Sequence, residues 1–133
     1  MNARVAVIGL LGLATGLYGA SIWDGIYTQA QANRGEEQYA LECAPCHSED
    51  LIGNGFAPPL AGAEFLANWN KKTVGGLFER IRTTMPDNNP GGLAREAFVD
   101  ITAFLLSANK FPAGTTPLDA DNGSLDAIRI EPK

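Results

Sequence analysis

The feature that most constrains this chain is the run Cys43-Ala44-Pro45-Cys46-His47. The 133 residues contain two cysteines and one histidine, and all three stand in this run. A C-x-x-C-H sequence is the signature of covalent haem attachment. Two thiols at this spacing reach the two vinyl groups of one porphyrin, and the next residue projects its imidazole onto the iron. A chain tethered in this way folds around a large apolar plate. That suits its size, which fits one domain plus tails. Such a domain buries a modest fraction of its own surface, and the plate adds area to pack against.

Other chemistries fit the run less well. Cys-Ala-Pro-Cys looks like a thioredoxin-type redox pair, but that motif belongs to a strand-led βαβ context, and a helical pattern precedes it here. A structural zinc site needs four ligands, and Cys43, Cys46 and His47 supply three. A disulfide across the short loop would leave His47 and Met85 unexplained.

Residues 5–23 carry no charge, with Arg4 before them and Asp24 after. A basic start followed by an apolar run is the pattern of an export signal. The run is also just long enough to cross a membrane as a helix. Both a cleaved signal peptide and a retained anchor fit residues 1–23, and both deliver the body outside the cytoplasm. The net charge of −5 argues against nucleic-acid binding, which needs a basic patch. It suits encounter with a positively charged partner. A hydrophobic fraction of 45 % argues against disorder.

The body reads as all-α. Thr28 can cap a helix over about 28–42, with Ala32, Gly35, Tyr39 and Ala40 at helical spacing. Residues 48–70 are rich in Gly, Pro and Asn and read as loop, with a short turn near Glu64–Asn68. Thr73 caps a second helix, Val74–Arg82, whose Val74, Leu77, Phe78 and Ile81 share one face. Pro86 stops it. A third helix, about Leu93–Ala108, carries Phe98, Ile101, Thr102 and Leu105 on one stripe. Residues 112–133 then shift to Pro, Gly, Thr and Asp and read as an extended C-terminal tail, surface-hugging over residues 112–123 and with a last short turn over Ser124–Ile130. Residues 24–111 form the domain, residues 1–23 the signal or anchor, and residues 112–133 the tail, for which partner docking is the expectation.

These residues resemble a class I c-type cytochrome, in particular the bacterial monohaem cytochrome c. The likeness runs from about residue 28 to 109. It rests on Gly35 with Tyr39, on Cys43 to His47, on Pro58-Pro59-Leu60-Ala61-Gly62, on Met85-Pro86 and on the aromatic last helix. It implies the cytochrome c fold: three main helices and long loops around one covalent haem c, after an N-terminal hydrophobic helix. The first and last helices would cross steeply at the glycine. Cys43 and Cys46 would form the thioethers and His47 would be one axial ligand. The Pro58 carbonyl would accept a hydrogen bond from the other His47 nitrogen, and Met85 would be the second ligand. Met85 as core filler, with an open sixth site, is the alternative, and Lys71, Lys72 and Lys110 are the substitutes. Trp69, Arg80 and Arg82 are candidates for the haem propionates, Arg80 reading better as a solvated helix face.

Two filled axial positions leave one-electron transfer and no catalysis of its own. The expected protein is a periplasmic electron carrier in a respiratory or dehydrogenase chain, membrane-associated through residues 5–23 if the anchor is retained. Its electrons would come from a donor dehydrogenase or quinol oxidase and pass to a terminal acceptor. A fixed cytochrome subunit of a membrane-bound redox complex, and a haem sensor with an open sixth site, are the other two readings.

Overall fold

The computed structural model describes residues 20–121 and 123–133. Among them are five α-helices: α1 Gln29–Glu42, α2 Ala44–His47, α3 Ala63–Trp69, α4 Val74–Thr84 and α5 Arg95–Ala108. Two 3-10 turns, Ile22–Asp24 and Ser124–Ala127, flank them. No strand forms among the described residues; two isolated bridges pair Thr28 with Gly114 and Thr73 with Arg129. The fold is all-α, as expected. The hydrophobic helix expected over the first 23 residues falls largely outside the described residues. No described helix is long and apolar enough to cross a membrane.

Local chemistry sets the helix ends. Thr28 and Gln31 form a reciprocal capping box at the start of α1. Thr73 accepts a bond from Gly76 N–H and caps α4. α4 runs two residues beyond the expected Arg82, its last turn carrying Thr83 and Thr84 hydroxyls bonded back to the Glu79 and Arg80 carbonyls. It stops at Met85 (ψ 154°) because the residue before a proline is driven out of the α region. α5 starts at Arg95 rather than Leu93, since Ala94 in an extended conformation makes no side-chain cap.

The core is built on the crossing of α1 and α5. Ala32, Gly35 and Tyr39 make the buried stripe of α1. A Cβ at Gly35 would overlap the Asp100 carbonyl and lie 2.9 Å from Phe104 Cβ. Only glycine lets the two backbones meet there. The Tyr39 and Phe104 rings touch beside the crossing, their centroids 5.2 Å apart. Arg34 locks the same crossing from outside, its guanidinium on both Asp100 oxygens at 2.7 and 2.9 Å.

The ends of the chain are part of this core. Ile22 and Tyr27 are buried, the Tyr27 hydroxyl donates to the Phe111 carbonyl at 2.6 Å, and Trp23 packs on Phe111. Beyond Phe111 the chain forms a strap that buries Leu118, Leu125, Ile128 and Ile130. Gln31 on α1 holds it by two bonds to Leu118, and Arg95 on α5 pairs with Asp121. It ends against α4, where Ile128 O accepts from Val74 N–H and Ile130 exchanges two bonds with Lys71 and Lys72. Each fully buried aliphatic side chain is worth about 1.5–3 kcal/mol, so the strap is a substantial part of the domain's stability. The large apolar side chains of residues 112–133 face inward.

Candidate functional site

Cys43 ends α1, its N–H on the Tyr39 carbonyl, and its φ of −118° bends the chain. The next four residues make the single turn α2, so the attachment run is itself helical rather than a loop. Pro45 is tolerated because it falls in the first turn, where an amide hydrogen has no partner to give to. Cys46 N–H and His47 N–H both donate to the Cys43 carbonyl, at 3.1 and 2.9 Å. This turn gathers the two thiols and the imidazole. Ser48, at φ 68°, then breaks the helix.

His47 is buried, and its Nδ1 lies 2.9 Å from the Pro58 carbonyl oxygen. A carbonyl only accepts, so the proton sits on Nδ1 and the lone pair on Nε2 is left for a metal. The loop that delivers Pro58 is pinned at several points. Gly53 N–H donates to His47 O, Ser48 Oγ donates to Gly53 O, and Leu60 N–H donates to Leu51 O. Gly53 has φ 75°, and a Cβ there would overlap the Ala57 carbonyl. The Tyr39 hydroxyl donates to Ser48 O at 2.7 Å. Burial, then the negative neighbours Cys43 and Asp50, hold that phenol well above its usual range, so it stays a donor.

Cys43 is half-buried and Cys46 exposed, and neither is in a disulfide. Burial, then Glu42 and Cys46, push the Cys43 thiol up to about 11. A thioredoxin-type nucleophile needs the opposite, a thiol pKa lowered towards neutrality. Its strand is also missing, since α1 leads into the motif. No group of three or more His, Cys, Asp and Glu side chains is placed to hold a metal ion among the described residues, which removes the zinc reading there.

Met85 caps α4, half-buried against the apolar core. Its N–H bonds to Ile81 O, and its carbonyl accepts from Gly91 N–H, which folds residues 86–91 into a compact loop. Trp69 ends α3 half-buried on Phe65, with Lys72 Nζ 5.1 Å from the centre of its ring. Arg82 is committed to Glu79, Nε and Nη2 on the two carboxylate oxygens at 3.1 and 2.6 Å. Arg80, Lys71 and Lys110 are exposed.

Sequence reasoning missed Asn109. Its side chain accepts from Gly62 N–H and donates to the carbonyls of Leu60 and Leu105, at 2.9–3.0 Å. It ties the Pro58–Gly62 stretch to the end of α5. Its one signal is position: it continues the stripe of Ile101 and Leu105 as a buried polar residue, which needs partners. Asp100, buried under Arg34, is a second such case.

The donor set fits a covalently tethered haem: two unbridged thiols and an imidazole with a free Nε2 share one turn, and a half-buried thioether closes α4. The family model described as "Cytochrome C oxidase, cbb3-type, subunit III" matches residues 30–105, from the first turn of α1 to the last of α5. No curated protein and no solved structure matches the chain. The matched stretch covers more than half of the sequence, contains every residue of the attachment turn and leaves out the strap. This chain therefore belongs to the family of cytochrome C oxidase, cbb3-type, subunit III, and carries a c-type cytochrome domain whose cofactor is one covalent haem c and whose work is electron transfer.

Proposed function

We propose that the protein is a periplasmic one-electron carrier whose haem is tethered by Cys43 and Cys46 and ligated by His47 and Met85. The observation that carries this reading is the His47 ring, buried in the attachment turn with Nδ1 committed to Pro58 and Nε2 left over. Each thiol would add its sulfur and its proton across one vinyl group, which needs no oxidant. The haem would supply the one-electron couple. The Pro58 carbonyl fixes the imidazole tautomer and makes the ring a better donor to iron. Methionine opposite histidine raises the potential, and so does apolar burial. Of the propionate candidates Trp69 is the better, since Arg82 is already on Glu79.

Surface properties support exchange with a redox partner. Residues 35–70, which surround the attachment turn, hold six carboxylates and no Lys or Arg, more than the whole net charge of −5. The exposed large apolar side chains, Leu41, Ile52 and Phe56, lie on the same stretch, and Phe56 is fully in solvent. Exposed apolar side chains and carboxylates on one stretch of chain suit a basic donor or acceptor surface, and the charge speeds encounter at low salt. The donors we expect are a dehydrogenase or a quinol oxidase.

The family description favours a second reading, in which this cytochrome is a fixed subunit of a membrane-bound redox complex held there by residues 5–23. The first test is the visible spectrum of the haem-loaded protein, oxidised and reduced, with and without carbon monoxide. The expected result is a sharp reduced c-type band that ignores carbon monoxide. A shift with carbon monoxide would put an open sixth site first, and absence of a haem band would end the proposal. Migration as a monomer, against co-migration with membrane oxidoreductase subunits, separates carrier from subunit.

A further inference from the structure

The strap has a property that its burial alone does not require: it grips the root of the helix that carries Met85. Residues 71–74 lead into α4, and the long-range hydrogen bonds made there go to residues 128–130. Lys71 N–H donates to Ile130 O at 2.9 Å, Ile130 N–H to Lys72 O at 2.8 Å, and Val74 N–H to Ile128 O at 2.9 Å. The Arg129 guanidinium adds a bond to Lys71 O at 2.9 Å. Ile128 and Ile130 are 4 % and 0 % exposed. One residue on, the α4 backbone comes so close to the strap that a Cβ at Gly75 would overlap the Asp126 carboxylate.

α4 has 11 residues, a rod about 16 Å long. Met85 stands at its far end and is fixed to it by its own N–H on Ile81 O. α4 also packs on α5, and slack at its root passes along the rod towards Met85. Arg95 supports the middle, its guanidinium 5.0 Å from the Phe78 ring centre while it also holds Asp121 of the strap. The strap thus meets α4 at its root directly and at its middle through Arg95, and the strap residues themselves lie outside the matched family stretch.

We propose that the strap is the positioning element for Met85: residues 125–130 brace α4 so that the thioether stays at the distal face of the haem, and loosening them frees Met85 before the domain unfolds. This rests on the reading of Met85 as an axial ligand. A segment outside the matched family stretch would then set how firmly the sixth position is closed.

The test uses full-length, haem-loaded protein. Two signals are followed with temperature: the weak far-red sulfur-to-iron absorption of the ferric form, and carbon monoxide uptake by the ferrous form. Far-ultraviolet helix signal reports global folding alongside. The double variant Ile128→Ala/Ile130→Ala is expected to lose most of the far-red absorption while its helix signal is intact. It should take up carbon monoxide roughly tenfold or more faster than the parent, as large-to-small core changes promote local opening. Leu118→Ala, which loosens the strap at α1 instead, is expected to lower the unfolding temperature and leave the far-red absorption intact up to unfolding. Should the double variant fail to mature, Ile130→Val is expected to show the same early loss in smaller measure. A parent protein without far-red absorption would remove the Met85 reading itself. A parent that has it, with variants that keep it until they unfold, would overturn the brace and leave the reading standing. Equal early loss in Leu118→Ala would also overturn it, since the strap would then act only through general stability.

Discussion

The attachment turn and the Met85 helix are held by ties of very different reach. Around His47 the partners are close in sequence: Tyr39 to Ser48 spans 9 residues and His47 to Pro58 spans 11. At the root of α4 they are distant: Arg129 reaches back 58 residues to Lys71. The near side is therefore specified by a short run of chain and closes little entropy. The far side depends on the C-terminus returning across the molecule. Short-range ties make a firm site that survives damage elsewhere; long-range ties make a site whose stability is shared with the whole fold. The two faces of one cofactor would then fail separately, the Met85 face first.

The largest expected effect breaks the comparison by removing the frame both sides stand on. Gly35→Ala puts a methyl group into the Asp100 carbonyl where α1 crosses α5. The obstacle is backbone and cannot rotate away, so the helices must part, along with the Arg34–Asp100 bonds and the Tyr39–Phe104 contact. Overpacking of this kind costs about 1–3 kcal/mol or more. Denaturant unfolding of the haem-loaded variant should show that loss. Gly75→Ala should cost less, because the atoms it meets first belong to the Asp126 side chain, which can turn aside. Equal losses at the two sites would mean that the crossing is no more rigid than the strap.

The same difference in reach decides what the sequence disclosed. The attachment turn is written in five consecutive residues, and its helical lead is written in Thr28, Gly35 and Tyr39. The stripes of α4 and α5 follow from apolar spacing, and Pro86 marks where α4 ends. The short turn near the end of the strap was legible, and Ser124–Ala127 forms it, but the strap's burial was not, because Leu118, Leu125, Ile128 and Ile130 are spread among Pro, Gly and Asp with no sustained helical or alternating period. Polar anchors hide for a related reason. Gln31 and Asn109 are ordinary helix residues until a partner 87 or 47 residues away turns up beside them. The Arg34–Asp100 pair is hidden likewise, 66 residues apart.

Asn109 offers a smaller and sharper probe, since it is a long-range tie on the His47 side. Asn109→Ala removes three hydrogen bonds and leaves the Gly62 amide and the Leu60 carbonyl unpartnered. Stability should fall by about 1–3 kcal/mol. Faster hydrogen exchange should be confined to residues near 60–62, and the reduced band should stay indifferent to carbon monoxide because α4 is untouched. Carbon monoxide uptake by this variant would mean that the two faces do not fail separately.

The smallest effect tests whether α4 is held by its own surface or by the strap. Glu79 and Arg82 pair on the exposed side of α4, and the hydrogen bond from Arg82 holds the Glu79 carboxyl below its ordinary range. A depressed folded pKa contributes stability that is present above the ordinary glutamate value of about 4.3 and is lost as pH falls through the folded value. Glu79→Gln should therefore lower stability slightly at neutral pH and not at all once the parent's carboxylate is protonated in acid. The difference should also shrink with added salt, because the pair is open to water. Acid titrations of unfolding midpoint, run at two ionic strengths, measure it. The far-red absorption should be the same in parent and variant at neutral pH. If this exposed change loosened Met85 as much as the strap variants, α4 would owe its position to its own surface charges, and the long-range brace would have no part in closing the sixth site.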